Sequence, residues 1–296
     1  MIAAGVDIGG SYIKSGLVVV RTGRILQRST TPFPGGKGTE AVFDAVEEQI
    51  RHLLGEQGMT ASDLRSIGIA VPGSLDADRS RVVHAYNLDF HDVAVREPVE
   101  QRFPGVPVVA LNDADAATLA EHRYGVLKGT RTSVLLTLGT GVGGGLILGG
   151  KLFAGGMGRG VELGHMTLRY DGRHHDCGNR GCVEMYCNAD ALKAGAPGRP
   201  VEEVIEGIRA GDPGMEPALE RYTDALAGAL ASIVNLLDPE VIALGGGVSH
   251  AGMPLVEALS VKVQKRSFSH AAPRIELAAL GNDAGLVGAA IAHNNL

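Results

Sequence analysis

The chain begins with the stretch that decides its fold, Ile2-Ala-Ala-Gly-Val-Asp-Ile-Gly-Gly-Ser-Tyr-Ile-Lys-Ser-Gly-Leu-Val-Val-Val20. Apolar residues on both sides of Gly9-Gly10-Ser11 predict two strands, at residues 2–8 and 13–20, which pair as a hairpin. Residues 25–31 can add a third strand. The glycine turn can present bare backbone N–H groups to an anion. The sequence therefore predicts a sheet that opens with a hairpin and offers an anion site at its turn.

The same strand, turn, strand arrangement returns in the second half of the chain. Residues 133–138, a glycine turn and residues 145–148 repeat it, which suggests two similar lobes built from one plan. Elsewhere, helical and strand-like patterns alternate. Apolar spacing predicts helices at 40–57, 114–124, 201–210, 217–237, 254–265 and 284–293, and strands at 66–71, 106–111, 241–244 and 275–278. The predicted fold class is α/β, with mixed sheets flanked by helices.

Length and composition narrow the class of protein further. At 296 residues the chain suits two lobes of ordinary domain size around a cleft. Its content of 45% apolar and 20% charged residues describes a globular enzyme rather than a disordered protein. A net charge of −6 and a pI near 5.9 provide no basic face, so we expect no nucleic-acid partner.

One uncharged segment is long enough to span a bilayer. Residues 132–150 carry no charge, but glycine pairs at 144/145 and 149/150 favour a buried hairpin instead. We therefore expect no membrane association. The N-terminus has no basic segment followed by a long apolar run, so no secretory signal is predicted. The clustered cysteines point to the reducing cytoplasm.

Two of these three cysteines belong to a second informative segment, which runs from Glu162-Leu-Gly-His165 to His175-Asp-Cys-Gly-Asn-Arg-Gly-Cys-Val-Glu184, and the third follows it at position 187. Imidazole and thiolate suit tetrahedral zinc, and the two glycines between the cysteines let the backbone turn so that both sulfurs face one ion. The plainer interpretation is a surface loop with incidental His and Cys. Clustering of all three cysteines favours a structural zinc site, formed by His165, His175, Cys177 and Cys182. His174 is a less well-placed ligand, and Cys187 is expected to be a small buried hydrophobe.

Glycine turns follow three apolar strands, at residues 9–11, 139–145 and 245–247. The second turn matches the dinucleotide-binding pattern, but that pattern needs a helix directly after the loop, and here a strand follows. No Walker-type motif is present. A hydroxyl in each of the first two turns, Ser11 and Thr140, together with Asp7, suggests a phosphate clamp made by two facing lobes.

With these motifs assembled, the chain resembles the ROK sugar kinases, a family of the two-lobed, ribonuclease-H-like and actin-like ATPase superfamily. The resemblance runs over essentially the whole length and is nearest to the bacterial glucokinase branch. It is carried by Asp7-x-Gly-Gly-Ser11, Asn112-Asp113-Ala-Asp-Ala-Ala, Leu138-Gly-Thr-Gly-Val-Gly-Gly-Gly145, Glu162-x-Gly-His165, the segment from Cys177 to Glu184, and Asp238-Pro-Glu-Val-Ile-Ala-Leu-Gly-Gly-Gly-Val-Ser249. The family usually has a cysteine where this chain has His175, which makes a site of two histidines and two cysteines.

The resemblance implies a role for each matching residue. Asp113 is the general base that accepts the proton of the attacking sugar hydroxyl. The sugar-binding set is Asn112, Asp113, Glu162, His165, Glu184 and Gly73. The set that binds ATP and its phosphates is Asp7, Gly9, Gly10, Ser11, Lys14, Thr140 and Gly141, with Gly245, Gly246 and Gly247 beside the adenosine. Asp7 would hold Mg²⁺ through water, because magnesium dehydrates reluctantly.

The resemblance also implies a domain plan and an assembly. We expect a small α/β domain from residues 1–112 and 283–296, and a large α/β domain from residues 113–282 that carries the zinc loop at about 162–187. A homodimer or homotetramer is expected.

Several functions remain open at this point. The first is phosphorylation of a hexose at its 6-hydroxyl by ATP, with glucose as the acceptor. N-acetylmannosamine, mannose, allose or fructose could replace glucose, and polyphosphate could replace ATP. A sugar-sensing repressor would carry an additional helix-turn-helix module before the first strand, which here begins at Ile2. A zinc-stabilised binding protein would leave Asp113 idle, and Asp113 could also serve only as a helix N-cap.

Overall fold

The computed structural model describes residues 1–295. Short runs of strands are separated by helices along the described residues. In chain order the elements are β1 (Ile2–Ile8), β2 (Tyr12–Val19), β3 (Arg24–Pro32), α1 (Thr39–Glu56), β4 (Leu64–Val71), β5 (Ser74–Leu75), β6 (Arg81–Ala85), β7 (Phe90–Ala94), α2 (Glu97–Arg102), β8 (Val108–Asn112), α3 (Asp113–Tyr124), β9 (Thr132–Leu138), β10 (Val142–Leu148), β11 (Lys151–Phe153), α4 (Glu184–Cys187), α5 (Ala189–Lys193), α6 (Val201–Ala210), α7 (Glu216–Leu237), β12 (Val241–Gly245), α8 (Met253–Arg266), β13 (Arg274–Leu277) and α9 (Ala284–Ile291).

The chain divides into two compact units. The first contains Met1–Tyr124, Lys151–Gly160 and the chain from Asn282, and the second contains Gly125–Gly150 and Val161–Gly281. Both α3 and the segment 151–160 therefore belong to the first compact unit. The predicted domain boundaries at 112/113 and 282/283 stay a prediction.

The first unit is built on a sheet with strand order β3-β2-β1-β4-β8. Strands β1 and β2 pair antiparallel, as the opening stretch predicts, whereas β1 pairs with β4 and β4 pairs with β8 in parallel. Apolar residues of β1, β2 and β4 form a core with one face of α1. The carboxyl ends of β1, β4 and β8 lie at one edge, because parallel strands share a direction. Ligands of open α/β sheets commonly bind at such an edge.

Helix α9 approaches this sheet and α3 closely because glycines lie at the contacts. A Cβ atom at Gly68 of β4 would lie 1.8 Å from the carbonyl oxygen of Ala289. A Cβ atom at Gly288 of α9 would lie 1.8 Å from the carbonyl oxygen of Ala116 in α3. The position of α3, which begins at Asp113, therefore depends on backbone contacts that no side chain could fit.

The second unit repeats the opening hairpin. Strands β9 and β10 pair antiparallel around the second glycine turn, and β9, β12 and β13 pair in parallel. Helices α7 and α8 pack against this sheet, and the largest side chain of the core is that of the fully buried Tyr222. The repeat predicted from the sequence is thus present as two antiparallel hairpins, each continued by parallel strands.

The predicted helices and strands agree with the structure to within a few residues at their ends. The small antiparallel sheet β5-β6-β7 and the helices α2, α4 and α5 were not predicted from the sequence, and all of them are short. Short elements contain too few residues to show a period. Among residues 1–295, no helix combines the length and the apolar character that a membrane span requires.

Candidate active site and metal cluster

Three predicted site segments of the first unit lie at the shared edge of its sheet. Asp7 lies near the carboxyl end of β1 and the Gly9-Gly10 turn follows that strand, Gly73 follows β4, and Asn112 ends β8 directly before Asp113. Gly73 has φ of +89°, and a Cβ atom there would lie 2.0 Å from the carbonyl oxygen of His84. Only glycine fits this position.

Asn112 holds the end of β8 and the start of α3 together. Its Oδ1 accepts hydrogen bonds from the Ala114 N–H at 2.8 Å and the Asp115 N–H at 3.3 Å, and its Nδ2 donates to the Gly73 carbonyl at 3.0 Å. Asn112 thus fills the capping role that the sequence left open for Asp113. The Asp113 side chain also accepts from Ala114 at 2.8 Å, and the residue is exposed. An exposed carboxylate on a fixed helix start suits a general base.

Asp7 lies beside Lys14 in a mostly buried position. Their nearest atoms, Asp7 Oδ2 and Lys14 Nζ, are 3.7 Å apart, and the Asp7 side chain is 20% exposed. Burial raises the pKa of the Asp7 carboxyl, and the charge of Lys14 only partly opposes this shift. A Cβ atom at Gly285 of α9 would lie 3.2 Å from the carboxylate, so this glycine leaves room for it. This role of Gly285 was not predicted from the sequence.

The first glycine turn is stabilised from within. The Gly9 N–H donates to the Tyr12 carbonyl at 2.9 Å, so this predicted phosphate-binding amide is already hydrogen-bonded inside the hairpin. A Cβ atom at Gly10 would lie 3.0 Å from the carbonyl oxygen of Asn87. Ser11, the hydroxyl residue of the turn, is exposed.

In the second unit, two glycine turns meet at the ends of the parallel strands β9 and β12. Gly246 has φ of +80°, and a Cβ atom there would lie 2.4 Å from the carbonyl oxygen of Leu138. The turn at 245–247 therefore contacts the start of the turn at 139–145. Thr140 is exposed, and the Gly139 N–H donates to the Gly141 carbonyl at 2.9 Å.

Glu184, the first residue of α4, joins the second glycine turn to the cysteine loop. Its Oε2 accepts from the Val142 N–H at 2.7 Å, and its Oε1 lies 2.9 Å from Nε2 of His175. A Cβ atom at Gly141 would lie 2.5 Å from Oε2, so this glycine makes room for the carboxylate. Sequence reasoning missed the contact with Val142, because a backbone N–H has no signature in the side-chain pattern.

The four predicted metal ligands come together in the second unit. One donor atom from each of His165, His175, Cys177 and Cys182 lies within 4.8 Å of the other three. His175 Nδ1 is 2.9 Å from Cys177 Sγ, and the two sulfurs are 3.7 Å apart. Nδ1 of His165 is buried without a hydrogen-bond partner in residues 1–295. An unsatisfied buried imidazole nitrogen beside two thiols and a second imidazole fits a zinc ion.

The other ring nitrogen of His165, Nε2, lies near Glu162, a residue that the resemblance predicts to bind the sugar. Nε2 is 3.9 Å from Oε2 of Glu162, whose side chain is 46% exposed. His174 lies outside the four-residue group and contacts Arg180 instead. The buried Cys187 also lies outside it, and burial raises the pKa of its thiol to about 12. Both residues occupy the places that the sequence analysis gave them.

The surroundings of Cys177 lower the pKa of its thiol and so favour the thiolate, which is the form that binds a metal. Burial opposes ionisation, but hydrogen bonds with His175, the Asn179 amide and Cys182 lower the pKa of Cys177 to about 7. Burial and the neighbouring Cys177 raise the pKa of Cys182. Gly181, between the sulfurs, has φ of +68°, and a Cβ atom there would lie 1.7 Å from the Arg169 carbonyl oxygen. The turn that the sequence predicted between the cysteines therefore requires glycine at this position.

Comparison with known proteins gives this arrangement a family. The ROK family model matches residues 3–295. A glucokinase from Streptomyces coelicolor is 36% identical, over 97% of this chain and 95% of that protein. A solved ROK family glucokinase from Streptomyces griseus, in complex with glucose and AMPPNP, superposes with a TM-score of 0.84 at 31% identity and covers 98% of both chains. A xylose repressor from Bacillus subtilis is 27% identical, over 97% of this chain and 75% of that protein. The predicted family is confirmed: the chain belongs to the ROK family, and its α/β fold is that of the ROK sugar kinases.

Proposed function

We propose that this sugar kinase transfers the γ-phosphoryl group of ATP to the 6-hydroxyl of a hexose, with glucose as the preferred acceptor. The observation that carries the proposal is the similarity to glucokinases over nearly the full length of both chains. A relative solved with glucose and an ATP analogue supports both the acceptor and the donor. The exposed Asp113 at the start of α3 supports the chemistry.

Asp113 is the proposed general base. As the 6-hydroxyl oxygen attacks the γ-phosphorus, its proton passes to the Asp113 carboxylate, the bond to the β-phosphate oxygen breaks, and ADP leaves. Phosphoryl transfer proceeds through a loose transition state, so catalysis depends chiefly on positioning and on charge stabilisation. Asn112 supplies the positioning, because its three hydrogen bonds fix the backbone on which Asp113 stands.

The remaining predicted residues keep their proposed roles. Asn112, Gly73, Glu162, His165 and Glu184 bind the sugar hydroxyls. The glycine turns at 9–11 and 139–141, together with Lys14, bind the phosphates, and residues 245–247 flank the adenosine. Asp7 holds Mg²⁺ through water, and the ion would neutralise developing phosphate charge.

Zinc has a structural place in the proposal. His165, His175, Cys177 and Cys182 would close a four-coordinate shell and so fix the loop that carries Glu184.

We also propose that the protein works in the reducing cytoplasm, where the free thiols of this loop persist, and as a homodimer or homotetramer. Light scattering of purified protein tests the assembly.

A coupled assay over a panel of hexoses, with ATP and polyphosphate as alternative donors, tests the activity. We expect the highest kcat/KM with glucose and ATP. Higher values with N-acetylmannosamine, mannose, allose or fructose would correct the acceptor, and a preference for polyphosphate would correct the donor.

The similarity to a xylose repressor supports one competing function, sugar sensing without catalysis. Sugar binding measured by calorimetry without turnover on any panel member would favour that function over the kinase.

A further inference from the structure

His175 makes two polar contacts, one with each ring nitrogen. Nδ1 lies 2.9 Å from Cys177 Sγ in the metal cluster, and Nε2 lies 2.9 Å from Oε1 of Glu184. The side chains of His175 and Glu184 are only 13% and 22% exposed, so water competes weakly for this contact. His175 therefore connects the four predicted metal ligands directly to a carboxylate outside that group.

The Glu184 carboxylate is held at both of its oxygens. Oε2 accepts from the Val142 N–H at 2.7 Å, which anchors it to the second glycine turn. Oε1 has His175 as its partner. A carboxylate with one donor on each oxygen is fixed in rotation as well as in place. If the His175 contact is lost, the carboxyl group can turn about its single remaining anchor.

We propose that His175 is a positioning residue that makes the orientation of Glu184 depend on the bound metal. An imidazole that coordinates through Nδ1 is neutral and keeps its only N–H on Nε2, where it must donate to Glu184. Without metal, the ring loses its coordination bond and is held only by its contacts with Cys177 and Glu184. A cysteine at this position would hold the metal equally well but has no second group to offer. The consequence for sugar affinity rests on the proposed role of Glu184 in sugar binding.

The first test separates positioning from metal retention. His175→Cys keeps four N/S ligands, so elemental analysis should still find one zinc ion per chain. Calorimetry without ATP should then show hexose affinity about tenfold weaker than in the wild type, and kinetics should place most of the loss in KM rather than kcat. His174→Ala, a neighbouring histidine outside the cluster, is the matched control and should change neither quantity.

A double-mutant cycle assigns the effect to the contact. Because each change removes the same hydrogen bond, His175→Cys should weaken sugar binding much less in a Glu184→Ala background than in the wild type. Wild-type sugar affinity in metal-loaded His175→Cys, or fully additive losses in the cycle, would overturn the proposal.

A second measurement needs no sugar and so distinguishes this inference from the proposed function. In ¹⁵N-histidine NMR spectra of the metal-loaded wild type, His175 should show a slowly exchanging Nε2–H that Glu184→Ala turns into a fast-exchanging one. Absence of the protected N–H refutes the positioning role whether or not the protein phosphorylates sugars. Its presence in a protein that binds no sugar supports the link and refutes the proposed function.

Discussion

At the scale of single residues, Asn112 and Asp113 show how one turn divides structural and chemical work. The side-chain amide of Asn112 accepts two hydrogen bonds from backbone N–H groups in the first turn of α3 and donates one to the Gly73 carbonyl. Because this asparagine caps the helix, the following carboxylate is not required for capping. Sequence motifs place both residues together, but only the hydrogen bonds show which of them caps.

Asp113→Asn tests the chemical part of this division. The amide keeps the size of the side chain but cannot accept the proton, so kcat should fall by about 10²–10⁴-fold while hexose affinity by calorimetry changes little. Asp190→Asn, the same substitution at an exposed position in the first turn of α5, should leave kcat unchanged. Turnover of Asp113→Asn near the wild-type rate would exclude Asp113 as the base.

Asp7→Asn should make the folded protein more stable and its Mg²⁺ binding weaker. Because burial raises the pKa of this carboxyl above its ordinary 3.8, the folded protein is destabilised once the group ionises. That destabilisation is absent below the ordinary pKa and grows as pH rises through the raised one. We therefore expect Asp7→Asn to melt at a higher temperature than the wild type at pH 7, and the difference to shrink towards pH 4.

Activity of the same variant should require more Mg²⁺, since a carbonyl oxygen holds the hydrated ion less tightly than a carboxylate does. Equal melting temperatures at pH 7 would show that Asp7 carries no burial penalty. An unchanged Mg²⁺ requirement would remove its proposed role.

At the scale of secondary-structure elements, α9 sets the position of α3 through glycine contacts. Gly288→Ala would bring a methyl group against the Ala116 carbonyl oxygen, where the ideal distance is 1.8 Å. The helices must separate, so we expect a loss of about 1–3 kcal/mol in the free energy of unfolding, or more. Denaturant titration measures it, and kcat should fall as well because Asp113 begins α3.

Gly55→Ala in α1 is the matched control. Apart from the backbone of its own helix and its chain neighbours, no atom of the described residues lies within 4 Å of an added Cβ there, and alanine favours the helix. This substitution should raise the free energy of unfolding by up to about 1 kcal/mol. If both variants were equally stable, close packing at Gly288 would not be what holds α3 in place.

The cysteine loop is an element with little regular structure of its own. Between the short helical turn at Leu163–His165 and α4, its described order consists of tight turns and two isolated bridges, Thr167 with Cys182 and His174 with Arg180. A strong chelator should therefore lower the melting temperature and speed amide exchange in residues 166–183.

Variants locate that effect. Cys182→Ser should lose the metal and become insensitive to the chelator, whereas Cys187→Ala should keep one zinc ion per chain, because the buried Cys187 lies outside the cluster. Purified wild-type protein without any bound metal would refute the zinc assignment.

At the scale of the whole molecule, each compact unit has its own sheet and its own apolar core. A hexose that binds the folded chain and not the unfolded one should stabilise the fold by RT ln(1 + [L]/Kd), or about 2.7 kcal/mol at a hundredfold excess over Kd.

Thermal melting with and without glucose measures this stabilisation. Asp113→Asn should retain it, whereas Glu184→Ala should lose most of it. A hexose that gives no turnover in the panel is the control and should leave the melting temperature unchanged. If glucose raises the melting temperature of Glu184→Ala as much as that of the wild type, Glu184 does not bind the sugar.

Much of this protein could be predicted from its sequence alone. Both hairpins, the long helices and the four-ligand cluster follow from period, glycine position and ligand chemistry, because each is encoded within a short stretch of chain. The small sheet β5-β6-β7 was missed, since its strands are short and bounded by turns. The contact of Glu184 with Val142 was missed as well, because a backbone donor can be found only from geometry.

The sequence by itself determined the α/β class and the family and predicted the residue types of the candidate site, because strand and helix periods, glycine turns and metal-ligand spacing are local properties. Only the tertiary structure decided that Asn112 makes most of the capping hydrogen bonds of α3 and that α9 packs on β4 and α3 through glycines. It also decided that the imidazole of His175 connects the four predicted metal ligands to Glu184. These facts depend on distances between segments far apart in the chain, and such distances are fixed only when strands pair and helices pack.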